Sequence, residues 1–584
     1  MIIIDRIRIN GFRSIRSLQM PLGRSSVLLG ANNCGKSTVL KALELALSDE
    51  IAVQKEDFHL NEKAEFGDEL WVDVRFVPLN KDSKRFSAFQ IGWQKEFDGL
   101  IRRDHYRREY FAFRTKFQRW PDGTITKQRF IINHWDREKL GEELQEVPHS
   151  LQFVSIDAEE NLREDLKNEN SFVSRMVSGL GSALKKYPDY ANKPIEDLRS
   201  MLDSLCQTLE GPGTQLPEEV SLTADNIEEF FSLVKSDSEK IIPFSALQGK
   251  GSQKSVAILS IVTLVDLLAK QAALQERPLF MLIAAEEPEI HLHPNAQRAL
   301  MTQLKALSHQ FIVSTHSPYV ASVCEPYEFR SMQRDGENIQ VRWLPQNIDP
   351  LEARAIKRLI LRFRGETLFA RGLIFVEGVT EEQLIRGMFQ AYFGDDPSAF
   401  GISIMGVDGK SYAPFLMLAL SLKKPFCVIS DNDGDARHVV LKQLSETERR
   451  LHCKAEDNRS GVFFLSPGLA MEGELVYKTG LKRELYDALW ACNASPNVSV
   501  KSKKLQYERL MAMAPRDIKR RLEKKKAEYS GFLGDIIAQN TYSQPIENMI
   551  PSAILRAFEL ISVWLGKEKK SDLLTDRNFE RWSG

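Results

Sequence analysis

Four short stretches combine residue types and spacings suited to binding a nucleotide. Gly30-Ala31-Asn32-Asn33-Cys34-Gly35-Lys36-Ser37, followed by Thr38, has the form G-x-x-x-x-G-K-[ST]. Backbone amides in such a loop converge on phosphate oxygens at a helix N-terminus. Lys36 is expected to neutralise β/γ-phosphate charge and Ser37 to ligate Mg²⁺. Asn32, Asn33, Gly35 and Thr38 complete the predicted cradle. Downstream, the apolar run Leu282 to Ala285 ends in Glu286-Glu287-Pro288-Glu289. Glu286 is expected to hold Mg²⁺, directly or through water, and Glu287 to orient or deprotonate the attacking water. Asp is commoner at the first acid position, so Glu286 is a departure. His316, in Ser314-Thr315-His316-Ser317-Pro318, follows another apolar run and is placed to sense a γ-phosphate. The fourth stretch, Leu247 to Lys254, holds Gly249, Gly251 and Gln253 just before a predicted long helix. Small residues let the backbone approach phosphate, and the helix start supplies amides and a positive dipole end.

A second group of acids suits metal chemistry. Leu373 to Val376 runs into Glu377-Gly378, with Glu381 and Glu382 on the helix that follows. Pro425 to Ser430 runs into Asp431-Asn432-Asp433-Gly434-Asp435. Two strand ends of a parallel sheet can place Glu377 beside Asp431 and Asp433. Clustered carboxylates repel one another, and hard oxygen donors suit Mg²⁺ or Mn²⁺. Two such ions could activate water and stabilise a leaving oxygen in phosphodiester cleavage. An EF-hand is disfavoured: counted from Asp431, the twelfth position is Lys442 rather than Glu, and a strand precedes the loop.

The elements that must position these residues are legible in outline. Ile2, Ile4, Ile7 and Ile9 alternate with polar residues, predicting a strand that turns at Gly11. Ser26 to Leu29 predicts a buried strand, and residues 37–47 a helix. Residues 70–155 look β-rich, with a hairpin at Trp120-Pro121-Asp122-Gly123 and a strand at Leu151 to Ile156. Residues 160–240 and 254–274 read as helical. Strands recur at Leu279 to Ala284 and Phe311 to Ser314. A helix from Glu352 to Arg364 leads to a βαβ-like unit beginning at Gly372, and the tail from 436 is mostly helical.

The chain has 584 residues, too many for one core. Its 43% hydrophobic and 27% charged residues are globular values, and a net charge of -1 confines nucleic-acid contact to local patches. Two patches stand out: Arg516, Lys519, Arg520, Lys524 and Lys526 with Lys501, Lys503 and Lys504 upstream, and Arg102, Arg103, Arg107 and Arg108 around Tyr106. No run of eighteen apolar residues predicts a membrane helix, and the N-terminus lacks the order of a secretory signal. Six scattered cysteines without a CxxC pair fit reduced thiols in a cytoplasmic protein.

Gly11-Phe12-Arg13-Ser14, the phosphate loop and Glu286 to Pro294 resemble the RecF/SMC/OLD branch of ABC ATPases, and Leu247 to Lys254 resembles their signature. The resemblance implies an ATPase head of residues 1–159 and 241–350, a helical dimerisation insertion at 160–240, and a homodimer or higher homo-oligomer. The E-G…D-x-D pattern resembles a Toprim domain. That implies a linker helix at 351–370 and a Toprim α/β domain with a helical, partly basic extension at 371–584. A Toprim after such an ATPase is similar to the OLD (overcoming lysogenization defect) nucleases. This resemblance makes Glu381 a second-ion ligand, Glu472 the later acid, and Lys526, chosen among Lys524 to Lys526, the cation that stabilises transition-state charge.

The activity implied is ATP-regulated, Mg²⁺- or Mn²⁺-dependent DNA cleavage in bacterial anti-phage defence. Some family members resemble the Gabija nuclease subunit and pair with a helicase. Others accompany a retron, with its reverse transcriptase and DNA. The alternative is a RecF/SMC-like repair or scaffold ATPase whose Toprim acids are silent, against which the full set Glu377, Asp431 and Asp433 argues. A primase lacks its zinc ribbon here, and a topoisomerase lacks room for a DNA-gate domain.

Overall fold

The computed structural model describes residues 1–49, 52–60, 65–80, 84–156, 272, 277–290, 292–306, 309–336, 338–345, 348–362, 365–456, 459–493 and 500–566. The glycine loop with Gly249, Gly251 and Gln253, the helix expected at 160–240 and, apart from residue 272, the helix expected at 254–274 lie outside them. The chain forms two units, Met1–Trp343 and Leu344–Gly584.

In the first unit a mainly parallel sheet carries the nucleotide motifs. Its strands run in the order Asn338–Arg342, Phe329–Asp335, Ser25–Leu29, Gln310–Ser314, Phe280–Glu286, Leu151–Ile156. Only the edge strand Asn338–Arg342 is antiparallel to its neighbour. Three adjacent parallel strands therefore end side by side at Gly30, Thr315 and Glu287. The second sheet is antiparallel, in the order Ile15–Pro21, Ile2–Phe12, Glu69–Pro78, Glu109–Arg119, Ile125–His134, Lys139–Glu143. The helix Lys36–Leu47 shares one apolar core with both sheets: Val39, Leu43 and Ala46 pack with Ile7, Ile9, Val72, Phe111, Leu282 and Ile312.

The first strand does not turn at Gly11, as the sequence suggested. It runs to Phe12 with Gly11 at φ 67°, and the chain reverses at Arg13-Ser14. A Cβ at Gly11 would sit 2.4 Å from the Glu69 carbonyl oxygen, so the glycine serves strand packing rather than the turn.

The second unit is built on four parallel strands in the order Ile402–Gly406, Gly372–Val376, Phe426–Ser430, Ser460–Phe464. Near-continuous burial along Gly372–Val376 and Phe426–Ser430 reflects helices on both faces. The described residues from Met471 to Gly566 form helices joined by short turns. Helices Val379–Phe393 and Lys526–Gln539 cross where Gly387 meets Gly534: a Cβ at Gly387 would lie 2.1 Å from the Gly534 carbonyl oxygen. The five described cysteines are free thiols, and no described helix is long and apolar enough to cross a membrane.

Candidate functional site

In the first unit, the phosphate loop joins Ser25–Leu29 to the helix Lys36–Leu47. Asn33 and Gly35 both have positive φ, 63° and 87°, which turns the loop amides toward one point. Lys36 Nζ donates to the Gly30 and Ala31 carbonyls at 3.0 and 3.1 Å and to His316 Nε2 at 2.7 Å. Burial lowers the Lys36 pKa, and burial followed by the Lys36 charge lowers that of His316, which disfavours the imidazolium beside the ammonium. Ser37 Oγ donates to Glu286, and Thr38 Oγ1 lies 3.2 Å from Ser14 Oγ. Glu287 has φ 40° and lies 3.3 Å from His316 Nε2. Lys36, Ser37, Glu286, Glu287 and His316 thus meet, although they come from three separate strand ends. Asn32 and Asn33 lie on the exposed lip of the loop.

Glu289 is a contributor that sequence reasoning passed over. It is buried and accepts from Thr315 Oγ1, His316 N and Ser317 N at 2.5, 3.0 and 3.2 Å. It therefore fixes the backbone that carries His316. Its signal in the sequence is a third acid, Glu289, two residues beyond Glu287 across Pro288.

In the second unit, Glu377 follows Gly372–Val376 and Asp431 follows Phe426–Ser430. The parallel register Phe375↔Val428 brings these two strand ends to within one residue of each other. Asp431 is 7% exposed, accepts from Met471 N at 3.1 Å, and has its pKa pushed up to about 8. Burial is the main cause, followed by repulsion from Glu381, Glu377, Asp433 and Glu472. Burial likewise raises Glu377 and Glu381, with Glu472 adding to both. Glu381 Oε2 also accepts from Gly378 N at 2.9 Å, capping the helix Val379–Phe393. Glu472, on the helix Met471–Lys478, is 1% exposed, and Lys526 Nζ lies 3.5 Å from its Oε1. Burial works against the Lys526 charge, but Glu472, Glu381 and Asp431 together raise its pKa.

Glu377, Glu381, Asp431, Asp433, Glu472 and Lys526 therefore share one electrostatic field. Asp435 does not sit among them: it is exposed and ion-paired with Lys410 at 2.7 Å. Of the three neighbouring lysines, Lys525 pairs with Glu528 at 3.0 Å, and Lys526 reaches the acids. Two buried phenols were missed. Tyr412 and Tyr529 are fully buried, with the Tyr412 hydroxyl beside Ser430 and the Tyr529 hydroxyl beside Glu472. Burial raises both pKa values, with Glu377 and Asp431 adding at Tyr412 and Glu472 and Glu381 at Tyr529. Tyr529 lies three residues beyond Lys526 on one helix, a spacing that could have flagged it.

The acids fit a hard divalent cation. Glu377 Oε2 is buried with no hydrogen-bond partner among the described residues, and the buried Glu472 Oε1 faces the Lys526 ammonium at 3.5 Å; the unmet acceptor on Glu377 is a costly arrangement that a cation would relieve. Among the described residues no trio of acid, His or Cys side chains forms a ready-made cage, so ligation requires carboxylate rotamers to turn inward.

Of the basic patches, Arg102 is held by Asn133 and Glu142, Arg103 by Glu109 and Arg108 by Asp104. Those arginines brace the first unit's own strands and loops. The helix Pro515–Lys524 keeps Arg516, Arg520 and Lys524 exposed.

Residues 25–322 match the family described as "AAA domain, putative AbiEii toxin, Type IV TA system". Residues 368–433 match the overcoming lysogenization defect protein-like TOPRIM domain. The chain is 22% identical over 507 residues to an OLD nuclease of Thermus scotoductus, covering 80% of this chain and 90% of that protein. It is 21% identical over 437 residues to the Old nuclease of Escherichia phage P2, covering 69% and 72%. It is 22% identical over 415 residues to the endonuclease GajA of Bacillus cereus, covering 65% and 66%. The chain belongs to the AAA-domain family and joins that domain to a Toprim domain of the overcoming lysogenization defect type.

Proposed function

We propose that this chain is a nucleotide-regulated, divalent-metal-dependent DNA nuclease. The observation that carries the reading is the acidic cluster of the second unit: burial first, and then Glu381, Glu377, Asp433 and Glu472, push the Asp431 pKa up to about 8, with Lys526 set 3.5 Å from Glu472. Glu377, Glu381, Asp431, Asp433 and Glu472 are the proposed ligands of two Mg²⁺ or Mn²⁺ ions, with Asp435 at the rim. Bound there, such ions polarise a phosphodiester and lower the pKa of water. Lys526 supplies positive charge where the scissile phosphate gathers negative charge, and Glu472 holds its ammonium in place. Tyr412 and Tyr529 stay protonated and close the floor of the site to water.

In the first unit, Lys36 and the loop amides take the ATP phosphates, with Asn32, Asn33, Gly35 and Thr38 shaping the loop. Ser37 and Glu286 hold one further Mg²⁺. Glu287 orients water, and His316 reads the γ-phosphate. Gly249, Gly251 and Gln253 are proposed to act from a second copy, which makes the working form a homodimer or larger. The proposed ATPase segments are 1–159 and 241–350, the insertion 160–240, the linker 351–370 and the nuclease 371–584. Anti-phage defence in the cytoplasm, beside a helicase-like or retron partner, is the setting that this assignment suits.

The test is incubation of supercoiled plasmid with the purified chain in Mg²⁺, Mn²⁺ or chelator, each with and without ATP. Conversion to nicked or linear DNA that needs the cation and changes with ATP supports the reading. Intact plasmid under every condition rejects it.

A further inference from the structure

The acidic centre leaves one charge pattern of the second unit unused. Residues 515–526 hold the cations Arg516, Lys519, Arg520, Arg521, Lys524, Lys525 and Lys526 against only Asp517 and Glu523, in a chain of net charge -1. The helix Pro515–Lys524 buries Ile518 and Leu522 in the unit's core. Arg516, Arg520 and Lys524 recur every fourth residue on the opposite side, with Arg521 beside them, and all four are exposed.

These four differ from their neighbours. Lys519 is paired with Glu523 at 3.3 Å, Lys525 with Glu528 at 3.0 Å and Lys526 with Glu472 at 3.5 Å. Among the described residues, nothing pairs with Arg516, Arg520, Arg521 or Lys524. A stripe of like charge with no internal counter-ion repels itself, and an external polyanion would relieve that repulsion.

The stripe also leads to the acids. Its helix packs on the helix that bears Glu472, where a Cβ at Gly473 would lie 3.5 Å from Lys519 Cε. At about 1.5 Å rise per residue, cations four apart are spaced by roughly 6 Å, and the stripe is about 12 Å long. That is the scale of successive phosphates on one strand. The chain continues directly through Lys525 to Lys526.

We propose that Arg516, Arg520 and Lys524 form a rail for the phosphodiester backbone of the DNA strand being cut, delivering a phosphate to Lys526 and the acids. The proposal rests on the nuclease reading and specifies how that site takes its substrate. Guanidinium groups bind phosphate bidentately, and backbone contacts give register without sequence preference. A basic amphipathic helix can instead lie on an anionic membrane, but that requires a free apolar face. Here that face is already spent on the core.

The experiment compares the full chain with the triple variant Arg516→Gln, Arg520→Gln, Lys524→Gln. DNA binding is measured in chelator across a salt series, so that no cleavage intervenes. Loss of three phosphate contacts is expected to lower the slope of log affinity against log salt by about 2.7 for duplex, or about 2 for single strands. Hydrolysis of bis(p-nitrophenyl) phosphate in Mn²⁺, a substrate too small to touch the rail, is expected to stay unchanged. An unaltered DNA slope overturns the rail. So does a parallel loss of the small-substrate activity and Mn²⁺ affinity, which would mean damage to the acidic centre. Loss of binding to phosphatidylserine vesicles with DNA binding intact overturns it in favour of lipid. Absence of cation-dependent hydrolysis by the wild-type chain rejects the nuclease reading instead, while the salt slope still reports on the rail.

Discussion

Lys526 Nζ stands 3.5 Å from Oε1 of Glu472, a carboxylate that is 1% exposed while the lysine is half open to solvent. The two groups lie on different helices, so their meeting reflects packing rather than local sequence. Lys526→Met removes the charge and keeps the stem. The expected result is a fall in cleavage rate of about 10²–10³-fold, typical of losing one transition-state donor. Mn²⁺ affinity is expected not to weaken, because a neighbouring cation is lost. Weakened Mn²⁺ binding in calorimetry would mean that Lys526 organises the ligands instead.

In the first unit, Lys36 donates to two loop carbonyls and to His316 Nε2. A bound nucleotide must take over those donors. Lys36→Ala is expected to weaken ATP binding about 10- to 100-fold, the worth of a charge-assisted bond. His316→Ala is expected to bind ATP within a few-fold of wild type and to slow phosphate release. Titration with a fluorescent ATP analogue and a phosphate-release assay separate the two.

The pH response follows from Asp431, whose pKa rises from 3.8 to about 8 in the fold. Between those values the folded chain keeps a proton that the unfolded chain has lost, so metal-free stability falls as pH rises through that window. A divalent cation must displace this proton. Mn²⁺ affinity should therefore climb by up to about tenfold per pH unit and level off near pH 8. Melting curves in chelator and calorimetry with Mn²⁺ from pH 6 to 9 read both trends, and a flat Mn²⁺ affinity would contradict the proton count.

The crossing at Gly387 and Gly534 sets the helix carrying Glu381 against the helix carrying Lys526. Gly387→Ala drives a methyl into backbone, since its Cβ would lie 2.1 Å from the Gly534 carbonyl oxygen. The expected cost is about 1–3 kcal/mol, from overpacking that no side-chain rotation relieves. Urea unfolding measures it.

Residues whose chemistry and periodicity coincide were legible in the sequence. The phosphate loop declared itself because Gly30, Gly35, Lys36 and Ser37 must stand at fixed offsets within one strand–loop–helix turn. Glu377 and Asp431 were legible because each ends a buried strand, and parallel register then brings the two ends to within one residue of each other. Residues that act through tertiary contact were harder. Glu289 holds the His316 backbone through hydrogen bonds across some 27 residues of chain. Tyr412 and Tyr529 look like ordinary core aromatics until the fold turns their hydroxyls toward acids. Gly11 misled because a positive-φ glycine marks a close strand contact as readily as a turn.

The most direct measurement is the initial rate of plasmid cleavage in Mn²⁺ by wild type and Asp431→Asn, with folding and ATP binding matched. Asparagine keeps an acceptor for Met471 N and removes the charge that a cation needs. The account predicts that cleavage by the variant drops to the level seen in chelator. Cleavage by Asp431→Asn at the wild-type rate would contradict it.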